Sequence, residues 1–151
     1  MKMLVLGAGL QGCATAFDLL QNPAVTQVTI ADLHPEQLAS FLDPYKGTPR
    51  LKAVKLDVKD LPAVTALMRG HVSVMSAIPY YFNAPMAGCA VEAGCHFAVL
   101  GGNTELVFEQ QNVVLSRRDA QRSGFRFLPV VHGQDGHGGR FRVRREKRTD
   151  M

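Results

Sequence analysis

The chain has 151 residues, of which 46% are hydrophobic and 20% are charged, values ordinary for a single globular domain with its own core. This composition excludes a disordered chain and a coiled coil, and no apolar run reaches the ~18 residues that a membrane span needs. The net charge of +4 comes from the C-terminal end, where residues 117–151 hold ten Lys/Arg against four Asp/Glu. Residues 1–116 hold seven Lys/Arg against nine Asp/Glu, so this part of the chain gives no support to nucleic-acid binding.

Short apolar runs alternate with amphipathic stretches up to about residue 130. The apolar runs predict six buried strands, at residues 2–6, 27–31, 51–56, 71–77, 96–100 and 125–130. The stretches between them predict five helices, from residue 10 to the Asn22-Pro23 pair, from Pro35 to about residue 42, from Asp60 to Gly70, at 83–94 and at 104–123. Strands that alternate with helices pair in parallel and carry helices on both faces, so the pattern predicts an α/β fold with a doubly wound parallel six-stranded sheet of the Rossmann type over residues 1–130.

The alternation ends after Val131. Glycine and arginine dominate residues 131–151, and no sustained apolar face is present there. We therefore expect a disordered basic tail. A tail that touches nucleic acid or an acidic partner is the alternative, although Phe141 is the one aromatic residue among its arginines and a stacking platform needs several.

The turn after the first strand carries the motif G-x-G-x-x-G, in the form Gly7-Ala8-Gly9-Leu10-Gln11-Gly12. We expect Gly7 to make a tight turn, Gly9 to let the backbone approach a pyrophosphate, and Gly12 to let the helix pack closely on the strand. The helix that follows directs free N–H groups and its positive dipole end toward phosphates. The six residues therefore predict a dinucleotide-binding turn, the alternative being a glycine turn that serves packing alone.

An acidic residue completes this fingerprint. Asp32 stands twenty residues beyond Gly12, at the end of the second predicted strand, where a carboxylate accepts hydrogen bonds from the adenosine ribose. A carboxylate there repels a 2′-phosphate, and the next residues, Leu33 and His34, include no arginine to bind one. The sequence thus favours NAD over NADP as cofactor, unless Arg50 or Lys52 folds back from the next loop.

Ligands of doubly wound sheets bind beyond the carboxyl ends of the strands. After the third strand this edge carries Asp57 and Val58, which we expect to flank the adenine. After the fourth strand it carries Ser76, Ala77, Ile78 and Pro79, which we expect near the pyrophosphate and the nicotinamide ribose. Gly101-Gly102-Asn103, after the fifth strand, completes the predicted wall. For Asp57, a solvated loop carboxylate without a role is an equal alternative.

Several of these segments together resemble the N-terminal domain of the saccharopine dehydrogenase family, and most of all its lysine 6-dehydrogenase branch. The resemblance covers about residues 1–129 and rests on Gly7–Gly12, Leu56-Asp57-Val58, Ser76-Ala77-Ile78-Pro79-Tyr80-Tyr81-Phe82 and Leu100-Gly101-Gly102-Asn103-Thr104. It implies a nicotinamide-dependent oxidoreductase that acts on a carbon–nitrogen bond of an amino-acid-like substrate. It also implies a second α/β domain, which supplies most of the substrate site and the contacts of a homodimer.

The chain departs from the family pattern at three places. Leu33 stands where NADP-using members often place an arginine, and Val99 stands where the lysine-dehydrogenase pattern has an acidic residue. After Pro129 the match stops, although the family continues into its second domain. We therefore expect a truncated, inactive NAD-binding half of the enzyme, with residues from about 130 read out of frame. A freestanding regulatory module that binds a dinucleotide without catalysis is the alternative.

No catalytic residue and no metal ligand is assigned from the sequence. Three cysteines, Cys13, Cys89 and Cys95, show no C-x-x-C pair and are interpreted as packed free thiols of a cytoplasmic protein. His132, Asp135 and His137 lie among glycines, which give metal ligands no fixed surroundings, so we reject a metal site there. The expected partners are a dinucleotide and, where a second domain is supplied, a small amino-acid-like substrate, with neither nucleic acid nor a membrane.

Overall fold

The computed structural model of the protein describes residues 1–100, 104–116 and 127–129. In this part of the chain the strands are β1 Lys2–Leu6, β2 Gln27–Asp32, β3 Leu51–Lys55, β4 Ser73–Ser76, β5 His96–Val99 and β6 Phe127–Pro129. The α-helices found there are α1 Leu10–Gln21, α2 Leu61–Met68, α3 Asn83–Ala93 and α4 Thr104–Ser116, with 3-10 helices at Ser40–Tyr45 and Tyr80–Phe82. The predicted extension of α4 to residue 123 and the predicted tail at 131–151 lie outside the described residues.

The strands form one sheet in the order β3-β2-β1-β4-β5-β6. Every neighbouring pair is parallel. The chain builds outward from β1 to β3, then crosses back to β4 on the other side of β1, which is the arrangement of a doubly wound Rossmann sheet. The predicted fold class is therefore confirmed. The reversal of direction between β1 and β4 is the point where such sheets open a crevice for ligands.

Two apolar clusters hold the helices against opposite faces of the sheet. One contains Leu4, Leu6 and Phe97 beneath α2 and α3, and the other contains Val5 and Ile30 beneath α1. Adjacent residues of β1 thus point into different clusters. Its last three residues, Leu4, Val5 and Leu6, are all fully buried. A central parallel strand covered on both faces is apolar without alternation, which is why this segment shows a continuous apolar run in the sequence.

The predicted α-helix from Pro35 is wrong. The connection from β2 to β3 instead carries the 3-10 helix Ser40–Tyr45, whose Leu42 is fully buried under the sheet. His34 precedes a proline and so disfavours helical geometry, and Pro44 inside the short helix has no N–H to continue an α-helical ladder. The 3-10 helix still places Leu42 in the core.

The helix α1 buries one face and exposes its first residue. Ala16 and Leu20 are buried with Cys13, whereas Leu10 is 75% exposed. Leu10 is the first residue of the helix and belongs to the glycine motif. An exposed apolar side chain therefore stands at the mouth of the glycine turn.

A side-chain cap begins α2. Asp60, where the sequence predicts the helix to begin, accepts a hydrogen bond from the backbone N–H of Ala63 at 3.1 Å and so caps the helix. We expect Asp60→Ala to lower the free energy of unfolding by about 1 kcal/mol, because the donor loses its partner. Urea denaturation measures this change. Asp60→Ser keeps an acceptor and is the matched control; an equal loss in both variants would contradict a role of the cap.

Candidate functional site

The glycine turn connects β1 to α1 and cannot accept a side chain at its first position. Gly7 has φ +99°, and a Cβ there would lie 2.8 Å from the backbone oxygen of Ala77 after β4. Its N–H donates to the carbonyl oxygen of Ala31 at 2.9 Å. The turn is therefore fitted between the ends of β2 and β4, and only glycine provides both the conformation and the space.

The other two glycines of the motif differ sharply in their surroundings. A Cβ on Gly12 would overlap the backbone oxygen of Gly7, so this position holds α1 against the turn. A Cβ on Gly9 would meet no atom of the described residues within 4 Å, and Gly9 has an ordinary φ of −64°. Packing alone thus explains Gly7 and Gly12 but does not explain Gly9.

Open space at Gly9 coincides with the N-terminus of α1. Gly9 is the capping residue of this helix, and among the described residues no side-chain cap accepts a hydrogen bond from the helix's first N–H groups. Free N–H groups and the positive end of the helix dipole therefore face the space that Gly9 leaves open. This combination suits the backbone approach of a phosphate or pyrophosphate.

Asp32, the last residue of β2, is joined directly to the glycine turn. Its Oδ2 accepts a hydrogen bond from the N–H of Ala8 at 2.7 Å, and its Oδ1 accepts one from the N–H of His34 at 2.9 Å. Each carboxylate oxygen thus has one backbone donor and keeps further acceptor capacity. The partly exposed carboxylate is fixed beside the turn and can still accept from hydroxyl groups of a ligand.

Asp57 and Val58 lie in the loop after β3, at the same edge of the sheet. The Asp57 side chain is exposed and accepts a hydrogen bond from the N–H of Lys59 at 2.9 Å. Val58 is half-buried and packs against the core cluster under α2. The carboxylate therefore shapes its own loop, which both of the interpretations given for Asp57 allow.

A cavity of about 380 Å³ opens on the other side of the glycine turn. Its lining comprises Gln11, Ser76, Ala77, Ile78, Pro79, Tyr80, Asn83 and Leu100. The structure thus brings Gln11 of the motif together with the four residues predicted after β4. Asn83 and Leu100 were not predicted as site residues, and the sequence indicates Asn83 only as the start of a helix.

A buried hydrogen bond forms the floor of this cavity. The Ser76 hydroxyl donates to Oδ1 of Asn83 at 2.6 Å, and each residue is 2% exposed. The bond ties the end of β4 to the first turn of α3. At the rim, Tyr80 is 51% exposed, and it is the one titratable side chain among the described lining residues.

The predicted residues therefore fall into two groups along one edge. On one side of the glycine turn, Asp32 ends β2, and Asp57 and Val58 follow β3. On the other side, the cavity lies at the ends of β4 and β5. An elongated ligand with a phosphate group near its middle fits this order. The donor set, a backbone cradle flanked by a carboxylate and a neutral cavity, suits a dinucleotide.

Arg50 and Lys52, the two residues that could have bound a 2′-phosphate, do not lie beside Asp32. The Arg50 guanidinium donates to the carbonyl oxygens of Leu20 at 2.8 Å and Val25 at 3.1 Å, at the opposite edge of the sheet. Lys52 pairs in register with Thr29, three residues before Asp32. Neither side chain folds back to the carboxylate.

The three cysteines are buried, as predicted for packed free thiols. All three thiols are free and buried, and burial raises the pKa of Cys95 to about 12, so this thiol stays neutral at physiological pH. The described residues contain no group of three or more His, Cys, Asp or Glu side chains arranged to hold a metal ion. His132, Asp135 and His137 lie outside them. None of the helices found among the described residues is long and apolar enough to cross a membrane.

Comparison with known proteins gives one family and a set of structural relatives. A family model described as the saccharopine dehydrogenase NADP binding domain matches residues 3–125. The fold is similar to that of apo histidine-tagged saccharopine dehydrogenase (L-Glu forming) from Saccharomyces cerevisiae, with a TM-score of 0.68 and 20% identity over 85% of this chain and 26% of that chain.

Two further solved structures share the fold. A protein of gentamicin A biosynthesis in complex with NAD gives a TM-score of 0.61 and 17% identity over 85% of this chain and 34% of that one. Apo scyllo-inositol dehydrogenase from Lactobacillus casei gives 0.58 and 17%, over 86% and 36%. The chain thus spans between 26% and 36% of these three proteins. Identities this low establish a shared fold alone.

Proposed function

Because the chain belongs to the saccharopine dehydrogenase NADP binding domain family, we propose that it is the dinucleotide-binding half of an oxidoreductase that acts on a carbon–nitrogen bond of an amino-acid-like substrate. The observation that carries the proposal is the contrast among the motif glycines. Gly7 and Gly12 are required by packing, whereas Gly9 leaves open space at the N-terminus of α1. A bound pyrophosphate would occupy this space.

Each described part of the site has a role in this proposal. The first N–H groups of α1 bind the pyrophosphate over Gly9, and Asp32 accepts from the adenosine ribose while it holds the turn through Ala8. Asp57 and Val58 flank the adenine. Gln11 and the residues after β4 border the nicotinamide end, where a bound dinucleotide supplies hydride transfer.

NAD is the proposed preferred cofactor. Asp32 carries negative charge where a 2′-phosphate would lie, and Leu33 provides no guanidinium to offset it. Arg50 is held at the opposite edge of the sheet. These observations support tighter binding of NAD than of NADP.

The charge of the cavity supports a substrate site completed by another part of an enzyme. An amino-acid-like substrate carries a carboxylate and an ammonium group, and the described lining offers neutral side chains with Tyr80 at the rim. Burying charged groups without partners is costly. We therefore propose that residues beyond this sequence supply the counter-charges and the proton donor or acceptor. We also propose that such residues form the contacts of a homodimer, and that the protein acts in the cytoplasm in lysine-related metabolism.

The proposal predicts binding without turnover. Titration with NADH, followed by its fluorescence, is expected to give a Kd between about 1 µM and 1 mM, the range of ordinary cofactor and substrate constants, and NADPH is expected to bind about tenfold more weakly. Incubation with NAD and a panel of amino acids is expected to form no NADH. Absence of binding by both nucleotides at millimolar concentration would refute the cofactor site, and turnover by this chain alone would refute the half-enzyme proposal.

A freestanding regulatory module is the second candidate, because the neutral lining of the described cavity also fits dinucleotide binding without catalysis. Both candidates bind NADH, so binding does not separate them. Translation of the coding DNA from about codon 120 in all three frames does. A second α/β domain in another frame supports the enzyme half, and stop codons in every frame soon after codon 151 support the module.

A further inference from the structure

A lysine outside the predicted site lies beside Asp32. Lys55, the last residue of β3, is the register partner of Asp32, the last residue of β2. Neighbouring parallel strands are about 4.8 Å apart, and paired residues direct their side chains to the same face. The two residues are therefore adjacent at the carboxyl edge where the adenosine end of the site is proposed.

The core clusters identify the face that these side chains share. Ile30 lies two residues before Asp32, and Leu51 lies four residues before Lys55, and both belong to the buried cluster under α1. Side chains along a strand alternate with a period of two. Asp32 and Lys55 therefore project toward the α1 face, the same face that carries the glycine turn's helix.

Lys55 forms none of the ion pairs found among the described residues. Asp32 is held by two backbone N–H groups. Lys55 is exposed, and the ion pairs that the described residues form, His34–Glu36, Lys46–Asp43 and Arg69–Glu92, do not include it. The Lys55 ammonium is therefore available to an anion that binds next to Asp32.

We propose that Lys55 is a specificity-determining residue that binds the 2′-phosphate of NADP and offsets its repulsion by Asp32. This inference rests on the proposed cofactor site and refines it: the chain discriminates only moderately between the two dinucleotides. A lysine stem is long enough to cross the spacing between two strands and place its charge beside the ribose. A hydrogen bond from an ammonium to a phosphate oxygen is charge-assisted and therefore strong.

Lys55→Gln tests the inference, with Lys52→Gln as the matched control. Both lysines are exposed residues of β3, but Lys52 is an odd number of residues from Lys55, so it faces the other side of the sheet near the opposite edge. Kd values for NADH and NADPH are measured at low ionic strength, where the charge effect is least screened. We expect Lys55→Gln to weaken NADPH about tenfold and to leave NADH within twofold. Lys52→Gln is expected to change neither.

Each other outcome has a separate meaning. Unchanged NADPH affinity in Lys55→Gln, or an equal loss for both nucleotides, overturns the role of Lys55 while the cofactor site stands. Wild-type protein that binds NADPH about 100-fold or more weakly than NADH also overturns it, because Lys55 then offsets nothing. Failure of the wild-type protein to bind either nucleotide overturns the proposed function itself.

Discussion

Gly9→Asp is expected to abolish dinucleotide binding and to leave the fold unchanged. The new side chain has room, since a Cβ at Gly9 meets no atom within 4 Å in the part of the chain that the structure describes, and its φ of −64° is open to any residue. That room is the proposed position of the pyrophosphate, so the carboxylate displaces it and adds like charge. We expect NADH affinity to fall about 100-fold or more, with circular dichroism and thermal unfolding close to wild type.

Gly9→Ala separates the two parts of this effect. A methyl group narrows the approach of the backbone to a phosphate without adding charge, so a loss of about tenfold is expected. Neither variant is expected to change the unfolding midpoint in urea beyond experimental scatter. NADH affinity that stays at the wild-type value in Gly9→Asp would show that the glycine turn serves packing alone.

Most of the fold could be predicted because its determinants are local. The continuous apolar run of β1, the glycine turn and the amphipathic α1 follow one another within 21 residues, and each has a characteristic pattern. The resemblance to the saccharopine dehydrogenase family, based on four short segments, is confirmed by the family match over residues 3–125. The α-helix predicted between β2 and β3 is a 3-10 helix in the structure. The spacing of apolar residues alone does not distinguish the two over so short a segment.

The parts of the site that could not be predicted depend on contacts between distant segments. The bond from Ser76 to Asn83 requires that β4 and α3 meet at a particular angle. Lys55 becomes relevant only through the register of β3 against β2, which places it, rather than Lys52, opposite Asp32. Register is determined by the packed sheet as a whole, because a slip of one residue would exchange the faces of the strand.

Gly12→Ala is expected to destabilise the fold severely, in contrast to Gly9→Ala. The added methyl group would overlap the backbone oxygen of Gly7. A backbone atom cannot rotate away as a side chain can, so either α1 moves off the sheet or the turn changes shape. We expect the free energy of unfolding to fall by about 4 kcal/mol, at the severe end of single substitutions. For a domain whose whole stability is about 5–15 kcal/mol, such a loss leaves a marginal protein.

Gly7→Ala and Gly47→Ala separate the cost of overlap from the cost of backbone conformation. Both glycines have positive φ, +99° and +76°, but a Cβ would contact Ala77 only at Gly7 and would meet open space at Gly47. Gly47→Ala is therefore expected to cost about 1 kcal/mol for conformation alone. Gly7→Ala carries the same cost plus a contact at 2.8 Å and should be at least twice as damaging in urea denaturation. If Gly12→Ala proved as mild as Gly47→Ala, the close fit of α1 against the turn would be wrong, and the rigid cradle on which the cofactor site depends would lose its physical basis.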